Sequence, residues 1–138
     1  MDRPRDTGRV TRSELRVRFC ETDLMGIVHH AEYVRYFEVG RVDWLREAGV
    51  LYGDWEKRGI HLPVIDAELQ YKRPARFDDV LTLETRVLER TRVTVRFGYR
   101  IFGPSGDLLT TGSTRLACVD HSMSPRPFPP DVIATLDA

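Results

Sequence analysis

The chain is 138 residues long, 41% hydrophobic and 30% charged, with 21 basic residues balanced by 21 acidic ones. Such a chain suits one globular domain that buries roughly 68–70% of its unfolded surface, which excludes a disordered protein, a disulfide scaffold and a second domain. The zero net charge gives no global attraction to nucleic acid or anionic membrane. No stretch approaches the roughly 18 uninterrupted apolar residues of a membrane-spanning helix, and the opening MDRPRDTGRVTR has no apolar leader. The expectation is a cytoplasmic protein with no membrane insertion and no nucleic-acid partner.

Residues 1–12 mix Arg, Asp, Pro and Gly without apolar periodicity and read as a mobile N-terminal arm. The domain is expected over 13–121. From Glu14 to Phe19, Leu15, Val17 and Phe19 alternate with Glu14, Arg16 and Arg18, the period of a half-buried strand. A loop follows, from Cys20 to His29. Between Ala31 and Ala48 the spacing predicts a helix, with Tyr33, Phe37, Gly40, Trp44 and Ala48 on one face and Gly49 as its left-handed stop. Glu38 and Arg41 fall on or beside that face, which predicts a buried pair that orients the helix or an interface. A shorter helix is expected over Tyr52–Arg58, closed by Gly59.

The remainder reads as extended chain. Ile65, Ala67, Leu69 and Tyr71 share one strand face and Pro74 ends that strand; Leu81, Leu83, Thr85 and Val87 mark the next. Val93, Val95, Phe97, Tyr99 and Ile101 then oppose Arg92, Arg96 and Arg100, whose face is solvated, lines an interface or binds phosphate. After the turn Gly103–Asp107, a last strand runs from about Leu108 to Val119. Residues 122–138 form a Pro-rich tail over the surface with a short helical turn from Asp131. These connections are too short for crossover helices, so the fold class is α+β, an antiparallel sheet covering one long helix. Cys20 and Cys118 lack ligand spacing and read as two buried thiols.

The loop Glu21–Tyr33 concentrates a carboxylate, two imidazoles and a helix N-terminus. The first N–H groups of a helix lack internal partners and can polarise a carbonyl or hold an oxyanion. Asp23, just upstream, can attack an activated carbonyl or take a proton from attacking water, while Gly26 lets the loop turn back. The same residues also suit purely structural roles, with Asp23 in an Asx-turn and His29 or His30 capping the helix. Adjacent histidines with no third ligand argue against a metal, and the motifs of serine hydrolases, P-loop NTPases and dinucleotide enzymes are missing.

The run Val17-Arg18-Phe19-Cys20-Glu21-Thr22-Asp23, continued by Gly26-Ile27-Val28-His29-His30-Ala31-Glu32-Tyr33 and Tyr36-Phe37-Glu38, resembles the opening of the hotdog-fold acyl-CoA thioesterases. These are the proteins related to 4-hydroxybenzoyl-CoA thioesterase and the Tol-Pal-associated thioesterases. Tyr71-Lys72-Arg73-Pro74-Ala75-Arg76-Phe77-Asp78-Asp79 is similar to the family's link between strands, and the likeness covers about residues 12–121. It implies a hotdog, a curved antiparallel sheet wrapped around one long central helix, assembled as a homodimer or further as a homotetramer, with active sites at the subunit interface. It also implies hydrolysis of an acyl-CoA to free acid and CoA, with no cofactor beyond the CoA of the substrate itself. The family's catalytic carboxylate falls on Asp23, as nucleophile or general base, and its carbonyl-polarising N–H falls on His30. Gly26, His29, Tyr33, Lys72 and Arg73 are the expected substrate-binding residues, the two cations for CoA phosphates. The family commonly has Asp or Tyr where this chain has Glu21 and His29. Alternatives are a hotdog hydratase or dehydratase acting on enoyl or hydroxyacyl thioesters, or a catalytically silent acyl-CoA binding module.

Overall fold

The computed structural model describes residues 8–138. Its elements in chain order are β1 (Thr11–Arg16), a 3-10 turn (Phe19–Glu21), α1 (Glu32–Glu47), α2 (Tyr52–Lys57), β2 (Val64–Tyr71), β3 (Val80–Arg90), β4 (Thr94–Phe102), β5 (Leu108–Ala117) and α3 (Pro130–Leu136). All five strands form one antiparallel sheet in the order β1-β3-β4-β5-β2. Register shifts at Ile65, Leu88 and Leu109 are bulges, which bend strands and increase their twist. The architecture is the expected hotdog, one long helix against a curved antiparallel sheet.

Helix α1 buries Tyr33, Tyr36, Phe37, Gly40, Trp44 and Leu45. Phe37 stacks on Tyr99 at 4.1 Å and Trp44 meets Phe97 edge-on at 5.5 Å. Gly40 lets the helix approach β3, because a Cβ there would sit 2.9 Å from Leu83 Cδ2. Gly49 ends the helix at φ +83°, the left-handed stop that its position after Ala48 predicts.

Several local expectations are corrected. Strand β1 starts at Thr11 and stops at Arg16, so the alternation continues only to buried Val17, while Phe19 turns outward at 76% exposure. Cys20 lies in the same 3-10 turn and is exposed; only Cys118 is a buried thiol, and burial raises its pKa. Within the segment read as an arm, Arg9 lies over the Trp44 ring at 3.8 Å and exchanges two 2.9 Å hydrogen bonds with that residue. Residues 1–7 of the arm lie outside the described residues. At the other end, α3 seats Val132 and Leu136 in the core, so the tail contributes packing as well as surface cover.

Glu38 and Arg41 do not form the expected buried pair. Glu38 is exposed, and Arg41 instead donates to the Tyr99 and Thr114 hydroxyls at 3.2 and 3.5 Å. Ala48 is also exposed, one residue beyond the helix. Nor is the apolar face of β2 fully covered: Leu69 packs against the core, but Ile65 and Tyr71 remain 50% and 52% exposed. The reason is placement, since α1 packs mainly over β1, β3 and β4 and meets the edge strand β2 at its end, where Tyr71 lies against Tyr33. On the other sheet face Arg96 and Arg100 are paired, while Arg92 is exposed. Glu84 accepts from Arg12 at 3.0 Å and Arg100 at 2.7 Å, and Arg96 reaches Glu89 and Asp66, each at 3.3 Å.

Candidate active site

The loop between β1 and α1 is fastened by Glu21. This residue is buried, yet its carboxylate accepts from the Arg18 backbone N–H at 2.8 Å, the Tyr36 hydroxyl at 3.0 Å and the Arg18 guanidinium at 3.1 Å. Burial alone would raise its pKa, but those donors stabilise the charged form more and the net shift is downward. The Tyr36 phenol is pushed up, by burial first and then by the neighbouring carboxylate. The Glu21 carbonyl also accepts the His29 N–H at 2.8 Å, so one residue joins the strand end, the helix and the far end of the loop.

Asp23 sits at the neck of this loop. Its backbone N–H donates to Ile27 and its carbonyl accepts from Gly26, and Gly26 takes φ +77°, a conformation glycine adopts at little cost. One side-chain oxygen, Oδ1, accepts the Met25 N–H at 2.8 Å and the Ile27 N–H at 3.4 Å. The Asx-turn is therefore present, and it orients the carboxylate while engaging only one of its oxygens.

The Ala31 N–H donates to His29 Nδ1 at 3.1 Å, and the Glu32 N–H to the His29 carbonyl at 2.9 Å. The His30 carbonyl accepts the Tyr71 hydroxyl at 3.0 Å. Among the described residues the His30 N–H has no partner in this network. Ala31 is the N-cap and makes no side-chain cap bond; the His29 ring accepts the N–H of that residue and stacks on His30 with ring centroids 4.2 Å apart.

A cavity of about 390 Å³ gathers Asp23, His30, Tyr33, Lys72 and Arg73, with Tyr71 in its wall. Of the residues expected at the site, only Gly26 and His29 stand outside this lining, where they shape the loop and the helix start. Tyr33 is buried and accepts the Ala75 N–H at 3.4 Å, which makes it a wall held in place; burial raises its pKa. Lys72 and Arg73 are exposed at the rim, where Arg73 has Asp107 at 3.8 Å. Among the described residues, a carboxylate oxygen without a partner and an unengaged N–H just before the helix meet in one cavity, an arrangement that suits attack on a carbonyl whose oxygen needs a donor. Among the described residues no three His, Cys, Asp or Glu side chains come together as a metal site, and no helix is long and apolar enough to cross a membrane.

Two further residues escape a reading of the sequence alone. Glu21 is an anchor whose partners lie before the 3-10 turn, at the far end of the loop and on α1, and Tyr71 reaches the helix start only because β2 ends beside it. The aromatic residue next to the Lys72-Arg73 pair was the available signal, but strand alternation alone places Tyr71 with the core.

The chain is similar to several known proteins. Residues 17–136 match the model of the thioesterase-like superfamily. The putative acyl-CoA thioesterase YneP of Bacillus subtilis is 37% identical over 120 residues, covering 86% of this chain and 87% of the relative. The acyl-CoA thioester hydrolase YbgC of Escherichia coli O157:H7 is 30% identical over 121 residues, 87% of this chain and 90% of the relative. Among solved structures, a DHNA-CoA thioesterase from Staphylococcus aureus superposes with a TM-score of 0.88 at 34% identity, over 91% of this chain and 87% of that one. With its sheet, its long helix and nearly its whole length matched, the chain belongs to the thioesterase-like superfamily and is a hotdog-fold thioesterase.

Proposed function

We propose that the chain hydrolyses acyl-CoA thioesters to a carboxylic acid and free CoA in the Asp23–His30 cavity. The observation that carries this reading is the pairing of a carboxylate with one uncommitted oxygen and a helix-start N–H with no partner, both on one cavity. The His30 N–H donates to the thioester oxygen and stabilises the charge that develops there. Asp23 acts in one of two ways. As a general base it takes a proton from water while that water's oxygen bonds to the acyl carbon; the C–S bond then breaks and the thiol leaves. As a nucleophile it bonds to the acyl carbon and expels the thiolate, and water cleaves the resulting anhydride. Lys72 and Arg73 at the rim receive the phosphates of CoA.

The functional unit in this proposal is a homodimer. Supporting it are the exposed edge of β2 and its uncovered Ile65 and Tyr71. A second copy pairing along that edge would supply backbone partners and apolar cover. The site cavity opens beside the end of the same strand through Tyr71, Lys72 and Arg73, so the neighbouring subunit would complete its wall.

Free-thiol release from a panel of acetyl-, long-chain and 4-hydroxybenzoyl-CoA tests the activity. Asp23→Asn should lower kcat by about 10²–10⁴-fold while circular dichroism stays that of the wild type. Wild-type turnover by a folded Asp23→Asn variant would refute the assignment. Addition of water to an enoyl-CoA without thiol release would favour a hydratase instead. Trapping an acyl-Asp23 anhydride, or finding solvent oxygen in the Asp23 carboxylate after a single turnover in ¹⁸O-water, identifies the nucleophilic route.

A further inference from the structure

We propose that the Tyr71 hydroxyl is a positioning group for the oxyanion donor, holding the first turn of α1 so that the His30 N–H faces the substrate carbonyl. This rests on the function proposed above and concerns a residue on a different element from either reacting group. Every other polar group around the His30 backbone is committed. The peptide joining His29 to His30 is held through its carbonyl, which accepts from Glu32 at 2.9 Å. The peptide joining His30 to Ala31 is held at both ends, its N–H on His29 Nδ1 at 3.1 Å and its carbonyl under the Tyr71 hydroxyl at 3.0 Å. Two fixed peptide planes leave the His30 φ and ψ little freedom, and the one donor left over is the N–H itself.

Tyr71 is suited to hold this position. It ends β2, where the backbone is in register with Thr110 of β5, and its ring lies edge-on to Tyr33 with centroids 5.3 Å apart. Tyr33 in turn belongs to the buried face of α1 and accepts the Ala75 N–H. The Tyr71 hydroxyl is therefore fixed from the strand and from the helix, although the residue is half-exposed and lines the cavity. The bond acts on the His30–Ala31 peptide, so its effect on the His30 N–H is one of orientation, fixing the torsions of His30 between two held peptide planes. Because small misplacements of a preorganised group cost much of its catalytic effect, this bond belongs to the turnover step and contributes little to substrate capture.

The test is Tyr71→Phe, which removes one oxygen and keeps the ring against Tyr33. With 4-hydroxybenzoyl-CoA as probe, or whichever acyl-CoA of the panel turns over fastest, kcat should fall about 10–100-fold while KM stays within about two-fold. The second measurement reads the carbonyl itself. ¹³C-labelled 4-hydroxybenzoyl-CoA is bound to Asp23→Asn, and the infrared downshift of its thioester C=O stretch is compared with that in the Asp23→Asn/Tyr71→Phe double variant. A smaller downshift in the double variant supports positioning, and a stability role alone would leave the band where it was. Unchanged kcat, a rise in KM with kcat intact, or an identical downshift would each overturn the inference. Failure of the function itself is separately visible as undiminished turnover in Asp23→Asn alone.

Discussion

Replacing Glu21 with Gln tests whether the active-site loop is held by charge. The substitution keeps the shape but exchanges one acceptor oxygen for an NH₂ that must face a donor, either the Arg18 guanidinium or the pair formed by the Arg18 N–H and Tyr36 hydroxyl. A hydrogen bond to a buried charged acceptor contributes about 1.5–3 kcal/mol. The ion pair adds little to this, because the Arg18 side chain is 70% exposed. The expected loss is about 1.5–3 kcal/mol, which for a chain of this size lowers Tm by roughly 5–15 °C.

The pH dependence follows from the lowered pKa of Glu21 in the folded protein. A depressed carboxyl stabilises the fold fully above the ordinary glutamate value of about 4.3, and this contribution is lost as pH falls below that value and through the folded-state value. Glutamine does not titrate, so the stability gap between wild type and Glu21→Gln should be largest near neutrality and close under acid. Urea denaturation of both proteins at a series of pH values measures it. A gap below about 0.5 kcal/mol at neutral pH, within ordinary surface-substitution effects, or one that stays constant into acid, would refute the reasoning. Tyr36→Phe completes a double-mutant cycle and should show coupling to Glu21.

Two further outcomes are expected. Gly112→Ala should cost about 1–3 kcal/mol by overpacking, since its Cβ would lie 2.6 Å from Phe37 Cζ and 2.7 Å from the Glu68 carbonyl oxygen; chemical denaturation with unchanged stability would contradict this. Ile65→Lys, on the exposed edge strand, should shift sedimenting species from dimer toward monomer while leaving secondary structure intact. A wild-type protein that already sediments as a monomer at tens of micromolar would dismiss pairing through β2.

The parts of the fold legible in the sequence were those where periodicity coincided with burial on one chain. Phe37, Gly40 and Trp44 at helical spacing lie in the core, and Val95, Phe97, Tyr99 and Ile101 alternate inward as their pattern predicts. For β2 the same alternation misled, because a strand's apolar face predicts that something covers it and does not say what. The expected Glu38–Arg41 pair failed for a related reason. Helical spacing brought them near each other, but the Tyr99 and Thr114 hydroxyls offered Arg41 acceptors on the sheet.

At the candidate site, loop physics pointed to Asp23 and to the helix start, and the family resemblance put the donor on His30. Asp23 also fills the structural role that the sequence allowed, as an Asx-turn, whereas neither histidine is the cap: Ala31 takes that position without a side-chain bond. The Asx-turn and the chemistry are compatible, since each engages a different atom of the same loop. Glu21 and Tyr71 needed the topology, because their decisive contacts span 15 and 41 residues of chain.

The outward turn of Phe19–Glu21 has a practical consequence for assay design. Cys20 presents an accessible sulfur next to Glu21, while Cys118 is enclosed and its ionisation suppressed by burial; thiolates, not thiols, react with disulfide reagents. A chromogenic disulfide reagent used to follow CoA release would therefore also titrate the enzyme, with a prompt signal of one sulfur per chain before any turnover. Cys20→Ser removes that background. Left in place, the same sulfur offers selective attachment of a fluorophore beside the loop, an optical handle on its motion that needs no engineered cysteine.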